Sequence, residues 1–541
     1  MSIFNSQINP NSEEFLHNRA GMLALIEKMQ QLEARTRQAS ARAKERFAKR
    51  KQLMPHERVA RLLDPGAPFL EIGNMTGYLR DVDNPDKSLP GASLIAGIGF
   101  IDGVRCMIVA NDSSINAGAI SEATGQKLSR CQDIALQQKL PFVFLVESAG
   151  ANLLTYRVHL FIDGGGIFYR LARLSAAGCP VITVLHGSST AGGAYMPGLS
   201  DYVIAVRGRG KAFLAGPPLV KAATGEIADA QELGGAEMHA TISGLAEYLA
   251  EDDTDGVRIA REVVRRLDWN RHLGPTTAKT TFCEPRYDPD ELAGVVPLDY
   301  RQPYDVKEVI ARLVDDSDLL EFKSRYGSQT VCVQASIHGH ACAFIGNNGP
   351  IDPDGATKTT QFIQLCCQSN TPLIFLQNTT GYMVGTVYEQ GGMIKHGSKM
   401  IQAVSNATVP RLTLMIGASF GAGNYGMCGR AYHPNFLFSW PNAITGVMGG
   451  EQAAMTMRIV MEKSAARRGK TLDTARLNAQ EQQIIAHFNS QSDAFYTSGW
   501  MLDDGLIDPR DSRHVLGFLL ATCDETQQRT VFPNSFGVGR M

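Results

Sequence analysis

The chain has 541 residues, 44% of them hydrophobic and 20% charged, and its formal net charge is −2. This length exceeds one ordinary hydrophobic core, so the composition predicts a globular protein of two or more domains. The near-neutral charge excludes the basic field expected of a nucleic-acid-binding protein, and no run of about 18 apolar residues predicts a membrane span.

The cysteines and the N-terminus indicate a protein of a reducing compartment. Ten cysteines are too sparse for a disulfide framework, and because none forms a CxxC pair, we expect no metal site. The adjacent Cys366 and Cys367 are interpreted as reduced, buried packing residues. The first 15 residues lack a basic start followed by an apolar stretch, so no secretory signal is predicted.

The segment 15–50 is polar and charged, and it predicts one or two surface helices. Within it, the basic run Arg42–Lys51 has two interpretations: an RNA- or membrane-binding patch, or a solvated helix face. Glu45 interrupts the run, which favours the solvated face.

From about residue 93, short β-branched runs alternate with helical stretches and glycine-rich turns. Val104–Ala110, Phe142–Val146 and Val181–Leu185 each have the length of a buried strand and end in polar or small residues. This alternation predicts an α/β fold with buried strands.

Three segments of the first half return in the second half in the same order. VANDSS at 109–114 resembles IGNNGP at 345–350, FLVESAG at 144–150 resembles FLQNTTG at 375–381, and GSSTAGGAY at 187–195 resembles GASFGAGNY at 417–425. The near-constant offset predicts a duplicated domain. The proline-rich stretch 270–305 is the predicted junction of the two copies.

The two matched glycine turns, Thr190–Tyr195 and Phe420–Tyr425, are the main candidates for chemistry. A small-residue turn that opens a helix leaves backbone N–H groups unpaired and favours negative charge. Aimed at a carbonyl, such donors form an oxyanion hole. Either turn alone favours the alternative of tight strand–helix packing, but their duplication favours a reaction with two carbonyl substrates.

Other candidate residues carry weaker signals. No GxxxxGK[ST] motif is present, so a nucleotide-hydrolysing site is not expected. Ser148 does not stand in a GxSxG elbow and is interpreted as structural. His239 and His396 are candidate acids or bases, but each is a lone histidine.

Several long motifs identify a resemblance that covers nearly the whole chain. They are FLAGPPLVKAATGE at 213–226, ELGGAEMH at 232–239, PYDVKEVIARLVD at 303–315, FGAGNYGMCGRAY at 420–432, VMGGEQAA at 447–454 and DDGLIDPRDSR at 503–513. They resemble the β subunits of biotin-dependent acyl-CoA carboxylases, in the methylcrotonyl-CoA and geranyl-CoA carboxylase branch.

The resemblance implies a fold of two tandem crotonase-like ββα-superhelix domains, of the ClpP/crotonase superfamily. A helical segment at 1–90 introduces the N-terminal domain. Residues 20–280 form the acyl-CoA-binding N-terminal domain, and residues 300–541 form the carboxybiotin-binding C-terminal domain.

The resemblance also implies roles for backbone groups at the two turns. Gly192 and Gly193 align with the pair whose amides hold the thioester enolate oxygen, and Ala422 and Gly423 with the pair that holds the biotin ureido oxygen. The further substrate-binding candidates are Ala149, Gly150, Gly164, Gly165, Ala191 and Lys221. The further biotin-binding candidates are Thr380, Gly381, Phe420 and Gly421. Lys221 has two open interpretations, a contact to a CoA phosphate and simple exposure.

The expected partners follow from the same resemblance. Biotin is carried by a separate α subunit with biotin carboxylase activity, since Ala454–Met457 has no lysine between its methionines. A coenzyme A thioester is the substrate, and no metal is expected in this subunit. Six β subunits form a ring of dimers, within an α6β6 assembly in the bacterial cytoplasm, and each active site lies between the N domain of one chain and the C domain of its neighbour.

Departures from the methylcrotonyl pattern bear on the substrate. Those enzymes typically read DSGGANLPRQ where this chain has residues 147–156, and His-Phe-Gly-Arg where it has Asp163–Gly166. Ser189 replaces a usual cysteine. We therefore expect a substrate bulkier than methylcrotonyl-CoA, such as geranyl-CoA, unless the glycines only add flexibility. The alternatives are carboxylation of another medium or long acyl-CoA and a biotin-dependent decarboxylase.

Overall fold

The computed structural model describes residues 3–151, 157–469 and 473–539. The chain divides into two compact units. The N-terminal unit comprises Gln31–Thr276, Gly499–Met501 and Thr522–Met541, and the C-terminal unit comprises Met1–Gln30, Thr277–Ser498 and Leu502–Ala521. The division at Thr276 falls within the proline-rich stretch.

The elements of the first half begin with a long helix, α1 (Glu13–Ala41), whose residues are divided between the units. The following helices are α2 (Lys44–Lys49), α3 (Pro55–Leu62), α4 (Glu122–Gln137), α5 (Val158–Gly164), α6 (Gly166–Ala176), α7 (Tyr195–Gly198), α8 (Pro217–Thr224), α9 (Ala230–Gly234), α10 (Ala236–Met238) and α11 (Asp253–Arg266). The strands are β1 (Leu70–Glu71), β2 (Leu94–Ile101), β3 (Val104–Asn111), β4 (Phe142–Ser148), β5 (Val181–Thr190), β6 (Tyr202–Val206), β7 (Lys211–Phe213) and β8 (Tyr248–Ala250).

The sheet of the N-terminal unit has the strand order β1-β2-β3-β4-β5-β6-β8, and β7 also pairs with β5. The β1–β2–β3 pairings are antiparallel, whereas β3 to β6 and β8 run parallel. All eight residues of β3 are buried, as expected of a parallel strand covered on both faces. The predicted buried strands are therefore confirmed.

The second half contains the remaining elements. Its helices are α12 (Leu292–Val295), α13 (Val306–Ala311), α14 (Pro353–Gln368), α15 (Thr386–Gln390), α16 (Met393–Asn406), α17 (Gly421–Gly426), α18 (Gly450–Arg467), α19 (Thr474–Asn489), α20 (Ala494–Gly499) and α21 (Ser512–Gln528). Its strands are β9 (Leu320–Glu321), β10 (Thr330–Ile337), β11 (His340–Asn347), β12 (Leu373–Thr379), β13 (Arg411–Phe420), β14 (Phe436–Ser439) and β15 (Ile444–Gly446).

The sheet of the C-terminal unit repeats the first. Its order is β14-β13-β12-β11-β10-β9, and β15 also pairs with β13, as β7 pairs with β5. Even the irregularities recur, since the register shifts between Val146 and Ser148 in β4 and between Gln377 and Thr379 in β12. The duplication predicted from the sequence is thus present in the topology.

The two ends of the chain belong to other units than the sequence-based boundaries assigned. Those boundaries placed the N-terminal segment 1–90 with the N-terminal domain and all of residues 300–541 with the C-terminal domain. In the C-terminal unit, the Phe4 amide donates to the Ser317 carbonyl at 3.1 Å, and Ser6 Oγ donates to Glu308. In the N-terminal unit, Arg105 pairs with Glu525 at 2.9 Å. Contacts between residues far apart in the sequence decide to which unit these segments belong, and a local sequence pattern cannot reveal such contacts.

The predicted surface helices are α1 and α2. They are not solvated all round, because α1 buries an apolar row of Phe15, Met22, Ile26, Met29 and Leu32. Cys366 is buried and Cys367 partly so, and both are free thiols. Among the described helices, none combines the length and apolar character of a membrane span.

Candidate active site

The N-terminal turn follows β5 directly. Ala191–Ala194 form a 3₁₀ turn, and α7 then continues from Tyr195. Within the described residues Thr190 forms no side-chain cap, so its side chain does not accept from the first N–H groups of the turn. Gly192 is exposed and Gly193 is buried. The turn therefore offers a pair of backbone donors, one of them at the surface.

The C-terminal turn has the same construction. It follows β13 and opens α17 at Gly421, and in the described chain Phe420 provides no side-chain cap. Ala422 is exposed and Gly423 is buried, like their counterparts Gly192 and Gly193. The two turns share their place after a strand and the exposure pattern of their donor pairs, although the first begins as a 3₁₀ turn and the second as an α-helix.

A residue in the left-handed conformation marks the same position in both turns. Ala191 has φ +53° and Gly421 has φ +55°. The left-handed conformation costs a non-glycine residue about 1–2 kcal/mol. Ala191 retains it without glycine's freedom, and such strain concentrates at functional sites where the surrounding structure enforces it. The surrounding structure therefore keeps Ala191 in a backbone conformation that an alanine does not favour by itself.

A strand-end loop lies against each turn. A Cβ built on Gly150 would stand 3.0 Å from the Thr190 carbonyl, and one on Gly381 would stand 3.5 Å from the Phe420 carbonyl. Both glycines have positive φ, +84° and +121°. Ala149 and Thr380, which precede them, are exposed. The fold thus brings these four predicted site residues beside the turns.

The hydroxyl groups at the ends of β4 and β12 hold these loops. Ser148 Oγ donates to the Gly118 carbonyl at 2.7 Å and accepts from the Gly150 amide at 3.1 Å. Thr379 Oγ1 bonds the Gly349 carbonyl and the Gly381 amide, each at 3.3 Å. Ser148 is therefore structural, as the sequence suggested.

A second helix begins near each turn, and apart from Lys221 on α8 the sequence analysis assigned these helices no site residue. Helix α8 begins after Gly216 and α18 after Gly449, and among the described residues neither of these glycines provides a side-chain cap. A Cβ on Gly421 would stand 3.2 Å from the Val447 carbonyl, so the segment before α18 borders the turn. Helix N-termini favour negative charge, and the only sequence signal was the small residues of VMGGEQAA.

The C-terminal unit also contains a cavity that the sequence did not reveal. Its volume is about 560 Å³, within the range of small-molecule sites. Phe420, Thr445 and Gly446 line it together with the first residues of α18, and Tyr300 stacks on Phe420 with ring centroids 5.2 Å apart. The predicted biotin-side residue Phe420 thus lines a cavity.

Aromatic side chains cover the N-terminal turn. Phe168 packs edge-to-face on Tyr195, 47% exposed, with ring centroids 5.6 Å apart. A Cβ on Gly192 would stand 3.5 Å from Phe168 Cζ. The Phe168 amide donates to the Gly165 carbonyl at 3.1 Å. Phe168 therefore connects the exposed residues Gly164 and Gly165, where α5 meets α6, to the turn.

Lys221 lies exposed on α8, and within the described chain its side chain forms no hydrogen bond or ion pair. Its role stays a prediction. Residues 152–156, which carry part of the departure from the methylcrotonyl pattern, lie outside the described residues. The described residues hold no cluster of three or more His, Cys, Asp or Glu that suits a metal ion.

A buried charged network supports the N-terminal turn. Arg58, only 1% exposed, donates to Glu147 at 2.6 Å and to Asp253 at 3.0 Å. Asp253 also lies 2.8 Å from His186 Nδ1. Glu147 lies near the end of β4 and His186 lies in β5, so the network ties together the two strands that lead to the site.

The protonation states in this network are set by burial and by neighbouring charges. Burial alone would raise the pKa of Asp253, but His186 and Arg58 bring that pKa below its usual value. Burial, followed by the Arg58 charge, lowers the pKa of His186. The imidazole is therefore neutral at neutral pH. Arg58 and Asp253 lie 195 residues apart, so no local pattern could identify the network.

The C-terminal turn has a neutral support instead. Asn378, the counterpart of Glu147, accepts from the Ala418 amide at 2.9 Å. Ser419 Oγ donates to Gln377 Oε1 and accepts from Asn424 Nδ2. Amide and hydroxyl groups therefore replace the ionised side chains of the other unit.

The lone histidines are already engaged by the protein. His239 uses Nδ1 with Ser243 and Nε2 with the Ala212 carbonyl, both at 2.7 Å. His396 Nδ1 bonds Thr357 Oγ1 at 2.7 Å. Neither geometry favours a free general base, whereas Gly192 and Ala422, the first donor residue of each turn, are exposed.

Known proteins share this arrangement. The carboxyl transferase domain matches residues 47–538. A probable biotin-dependent acyl-coenzyme A carboxylase beta2 subunit of Mycobacterium tuberculosis is 49% identical over 498 residues, covering 92% of each chain. The mitochondrial methylcrotonoyl-CoA carboxylase beta chain of Dictyostelium discoideum is 41% identical, covering 100% of this chain and 91% of its own.

A solved structure extends the similarity to three dimensions. The geranyl-CoA carboxylase β subunit of P. aeruginosa is 52% identical and superposes with a TM-score of 0.93, covering 100% of both chains. This match confirms the predicted two-domain crotonase-like fold. Since the domain match and the relatives each span most of the chain, the protein belongs to the carboxyl transferase domain family, among the β subunits of biotin-dependent acyl-CoA carboxylases.

Proposed function

We propose that this chain transfers a carboxyl group from carboxybiotin to an acyl-CoA, with one turn serving each substrate. The observation that carries the proposal is the repeated pair of backbone donors at Gly192–Gly193 and at Ala422–Gly423, in which the first residue is exposed and the second is buried. Two such sites suit a reaction in which two carbonyl oxygens gain negative charge. Family membership supports the same assignment.

At the N-terminal turn, the amides of Gly192 and Gly193 hold the thioester oxygen. They stabilise the negative charge that this oxygen gains as the substrate loses a proton. Their positions are fixed before the reaction by strand β5 and by the strained residue Ala191, so little reorganisation is needed. Ala149 and Gly150 border the same oxygen site, and the Phe168–Tyr195 pair packs beside it.

At the C-terminal turn, the donor set fits a cyclic urea. The amides of Ala422 and Gly423 are neutral donors suited to a single carbonyl oxygen, and Thr380, Gly381 and Gly421 border them. The cavity beside Phe420 has room for a small ring. When bound, carboxybiotin supplies the carboxyl group and the base for the substrate proton. The protein therefore needs no side-chain base, consistent with the engaged histidines.

The biotin is carried by a partner α subunit. The relatives are β subunits of biotin-dependent carboxylases, and Ala454–Met457 lacks the lysine that biotin attachment requires. We propose six copies of this chain in a ring of dimers, within an α6β6 assembly in a bacterial cytoplasm. The bacterial relatives support that setting.

The acyl substrate is proposed to be geranyl-CoA, a bulkier molecule than 3-methylcrotonyl-CoA. A Cβ built on Gly164 meets nothing within 4 Å, and its φ lies outside the range that requires glycine. Gly164 therefore leaves open space near Phe168, the ring that packs beside the N-terminal turn. The similarity to a geranyl-CoA carboxylase β subunit supports this choice.

Reconstitution tests the reaction. The isolated chain is expected to be inactive with ATP, bicarbonate and acyl-CoA, and a biotinylated α subunit should restore ¹⁴C-bicarbonate fixation into geranyl-CoA. Elution as a single 58.8 kDa chain would contradict the proposed assembly. Failure to carboxylate any acyl-CoA with a loaded partner would contradict the function.

Gly164→Phe tests the substrate. The added ring should lower kcat/KM for geranyl-CoA by about tenfold or more, since steric exclusion separates substrates of different size. Turnover of 3-methylcrotonyl-CoA should change little, and Gly164→Ala is the matched control that should retain both. Exclusive use of 3-methylcrotonyl-CoA by the unaltered protein would contradict the proposal that geranyl-CoA is the substrate.

A further inference from the structure

A second cavity lies in the N-terminal unit. Its volume is about 290 Å³, at the lower end of small-molecule sites. Residues of β1, β2, α1 and α3 line it, together with the segment that follows β3. Among the described residues that line this cavity, none belongs to the N-terminal turn or to the loop of Ala149 and Gly150. The second cavity is therefore separate from the site of the proposed reaction.

Strand pairing places two carboxylates on one side of this cavity. Glu71 pairs with Gly97, and Gly97 pairs with Ile108. Asp112 follows Ile108 by four residues, so Glu71 and Asp112 lie on the same face of the strands. A Cβ built on Gly97 would stand 2.6 Å from Phe69 Cζ, so the Phe69 ring covers the strand at that point. The cavity thus has an aromatic surface as well as two acidic side chains.

Asp112 is the most buried charged residue of the second cavity, with 2% of its surface exposed. Its Oδ1 accepts from Ser40 Oγ and from the Ser114 amide, both at 3.2 Å. In the described chain Oδ2 accepts no hydrogen bond, and the closest basic atom is His56 Nε2, 4.0 Å away. Because His56 lines the same cavity, this oxygen is directed into it. A buried carboxylate oxygen without a partner is unfavourable, and a donor from a ligand would satisfy it.

The neighbouring side chains do not neutralise Asp112 at neutral pH. Burial lowers the pKa of the His56 imidazole below its usual value, the attraction of Asp112 offsets this only partly, and the Arg37 charge lowers that pKa further. Arg37 is 67% exposed and lies 3.7 Å from Glu33. Glu71 is exposed and forms no hydrogen bond or ion pair within the described chain. Three carboxylates and one guanidinium therefore give the cavity an excess of negative charge.

The equivalent position of the C-terminal unit is neutral and satisfied by the protein. The repeated segments 109–114 and 345–350 place Asn348 at the position of Asp112. The Asp112 amide donates to the Ser93 carbonyl at 2.8 Å. The Asn348 amide donates to the Gln329 carbonyl at the same distance. However, Asn348 Oδ1 accepts from the Val306 amide at 2.8 Å, at the start of α13. The charged side chain and the open oxygen are thus features of the N-terminal copy alone.

A strained loop keeps the second cavity in a fixed shape. Gly91, Ala92 and Ser93 have φ of +93°, +53° and +53°, and this left-handed conformation is unfavourable for the last two. The buried Lys127 Nζ donates to the Gly91 carbonyl at 3.2 Å and to the Leu94 carbonyl at 2.7 Å. A ligand therefore meets a site that is already formed, which reduces the entropy lost on binding.

We propose that the second cavity binds a small organic ammonium ion. The ammonium group pairs with Asp112 Oδ2, and the apolar body of the ligand packs on Phe69 and Leu63, which line the cavity. Charge-assisted hydrogen bonds to a carboxylate are among the strong ones in proteins, and a buried carboxylate gains most from a cation that supplies its missing partner. This binding goes beyond the proposed function, since it involves no residue assigned to carboxyl transfer.

Other ligands fit the second cavity less well. The described residues hold no cluster of three or more His, Cys, Asp or Glu that suits a metal ion, so the carboxylates are too far apart for one small cation. An anion would be repelled by the three carboxylates. A neutral apolar molecule would leave Asp112 Oδ2 buried without a partner.

Calorimetric titration of the full chain with n-hexylammonium tests the proposal. The unaltered chain should bind this probe, and Asp112→Asn should weaken binding by about tenfold or more, because a buried ionic contact is lost. The neutral probe 1-hexanol and the anionic probe hexanoate have the same length. Both should bind the unaltered chain at least about tenfold more weakly than n-hexylammonium.

A second variant keeps the test valid if Asp112→Asn does not fold. Ala60 is exposed on α3 and lines the second cavity, so the ring of Ala60→Phe should fill the space and abolish binding while every charge is retained. The matched control is Asp268→Asn, which makes the same chemical change at a side chain that is 68% exposed in the same unit. It should retain the parent affinity. Circular dichroism confirms that each variant is folded.

Three outcomes would overturn the proposal. The first is equal binding of 1-hexanol and n-hexylammonium, and the second is tighter binding of hexanoate than of n-hexylammonium. The third is undiminished n-hexylammonium binding by folded Asp112→Asn or Ala60→Phe. None of these measurements uses turnover, so the result is independent of whether the chain carboxylates an acyl-CoA.

Discussion

The N-terminal and C-terminal turns have the same backbone but different supports. Ala191 and Gly421 share a left-handed conformation, and the donors that follow them share their exposure. The network beside the first turn consists of ionised side chains around Arg58, whereas Gln377 and Asn378 provide neutral bonds near the second. Duplication thus preserved the donor geometry on which the proposed chemistry depends, while the supporting side chains diverged.

The largest expected effect comes from breaking the charged support. Arg58→Met leaves Asp253 and Glu147 without their buried cation, which should lower the free energy of unfolding by about 3–5 kcal/mol. Asn378→Ala removes a neutral bond and should cost about 1–2 kcal/mol. Chemical denaturation measures both, and equal losses would mean that the two supports do not differ in kind.

A matched pair of alanine variants compares the turns themselves. A Cβ on Gly423 would lie 2.8 Å from the Gly381 backbone, whereas one on Gly193 would lie 3.2 Å from Ser189 Oγ, a side-chain atom. Gly423→Ala should therefore displace the donors and lower kcat by about 10²–10³-fold, the cost of losing one oxyanion donor. Gly193→Ala should lower it less.

The control for this pair is Gly125→Ala, where a Cβ meets nothing within 4 Å in helix α4. It should retain full activity. Far-ultraviolet circular dichroism confirms that each variant is folded. A folded Gly423→Ala with normal turnover would contradict the assignment of that turn.

A third prediction concerns the pH dependence of stability. Rising pH should lower the contribution of Asp503 in the C-terminal unit, and falling pH should lower that of Asp253 in the N-terminal unit. Burial raises the pKa of Asp503 in the C-terminal unit to about 6, only partly offset by the nearby Ser498 and Ser439 hydroxyl groups. The folded state then binds the proton more tightly than the unfolded state. The contribution of Asp503 to the free energy of unfolding therefore falls as pH rises from about 4 to 6. Asp253, with its lowered pKa, contributes stability that is lost as pH falls through its folded pKa.

Asp503→Asn removes the ionised form. The free energy of unfolding at pH 8 should rise by about 3 kcal/mol, and its decline between pH 4 and 6 should flatten. Denaturation midpoints across pH 4–8 provide the measurement. An unchanged slope would show that Asp503 does not titrate in this range.

The smallest expected effect belongs to Lys221. If this exposed side chain contributes one contact to the acyl-CoA, Lys221→Gln should raise KM by about two- to fivefold, as an exposed charge contributes at most about 1 kcal/mol. Steady-state kinetics with acyl-CoA checks this, and the KM for the biotin substrate should not move. Loss of kcat instead would assign Lys221 a role in the turn.

The amino-acid sequence by itself determined the duplication, the buried strands and both glycine turns. These features are local, since strand periodicity and small residues at a turn are written within about ten positions, and the second copy repeats them at a near-constant offset. Tertiary structure alone decided the grouping of the chain ends, the cavity beside Phe420 and the network of Arg58, Asp253 and His186. Those features join residues far apart in the chain, and only the folded packing determines which distant side chains share a buried space.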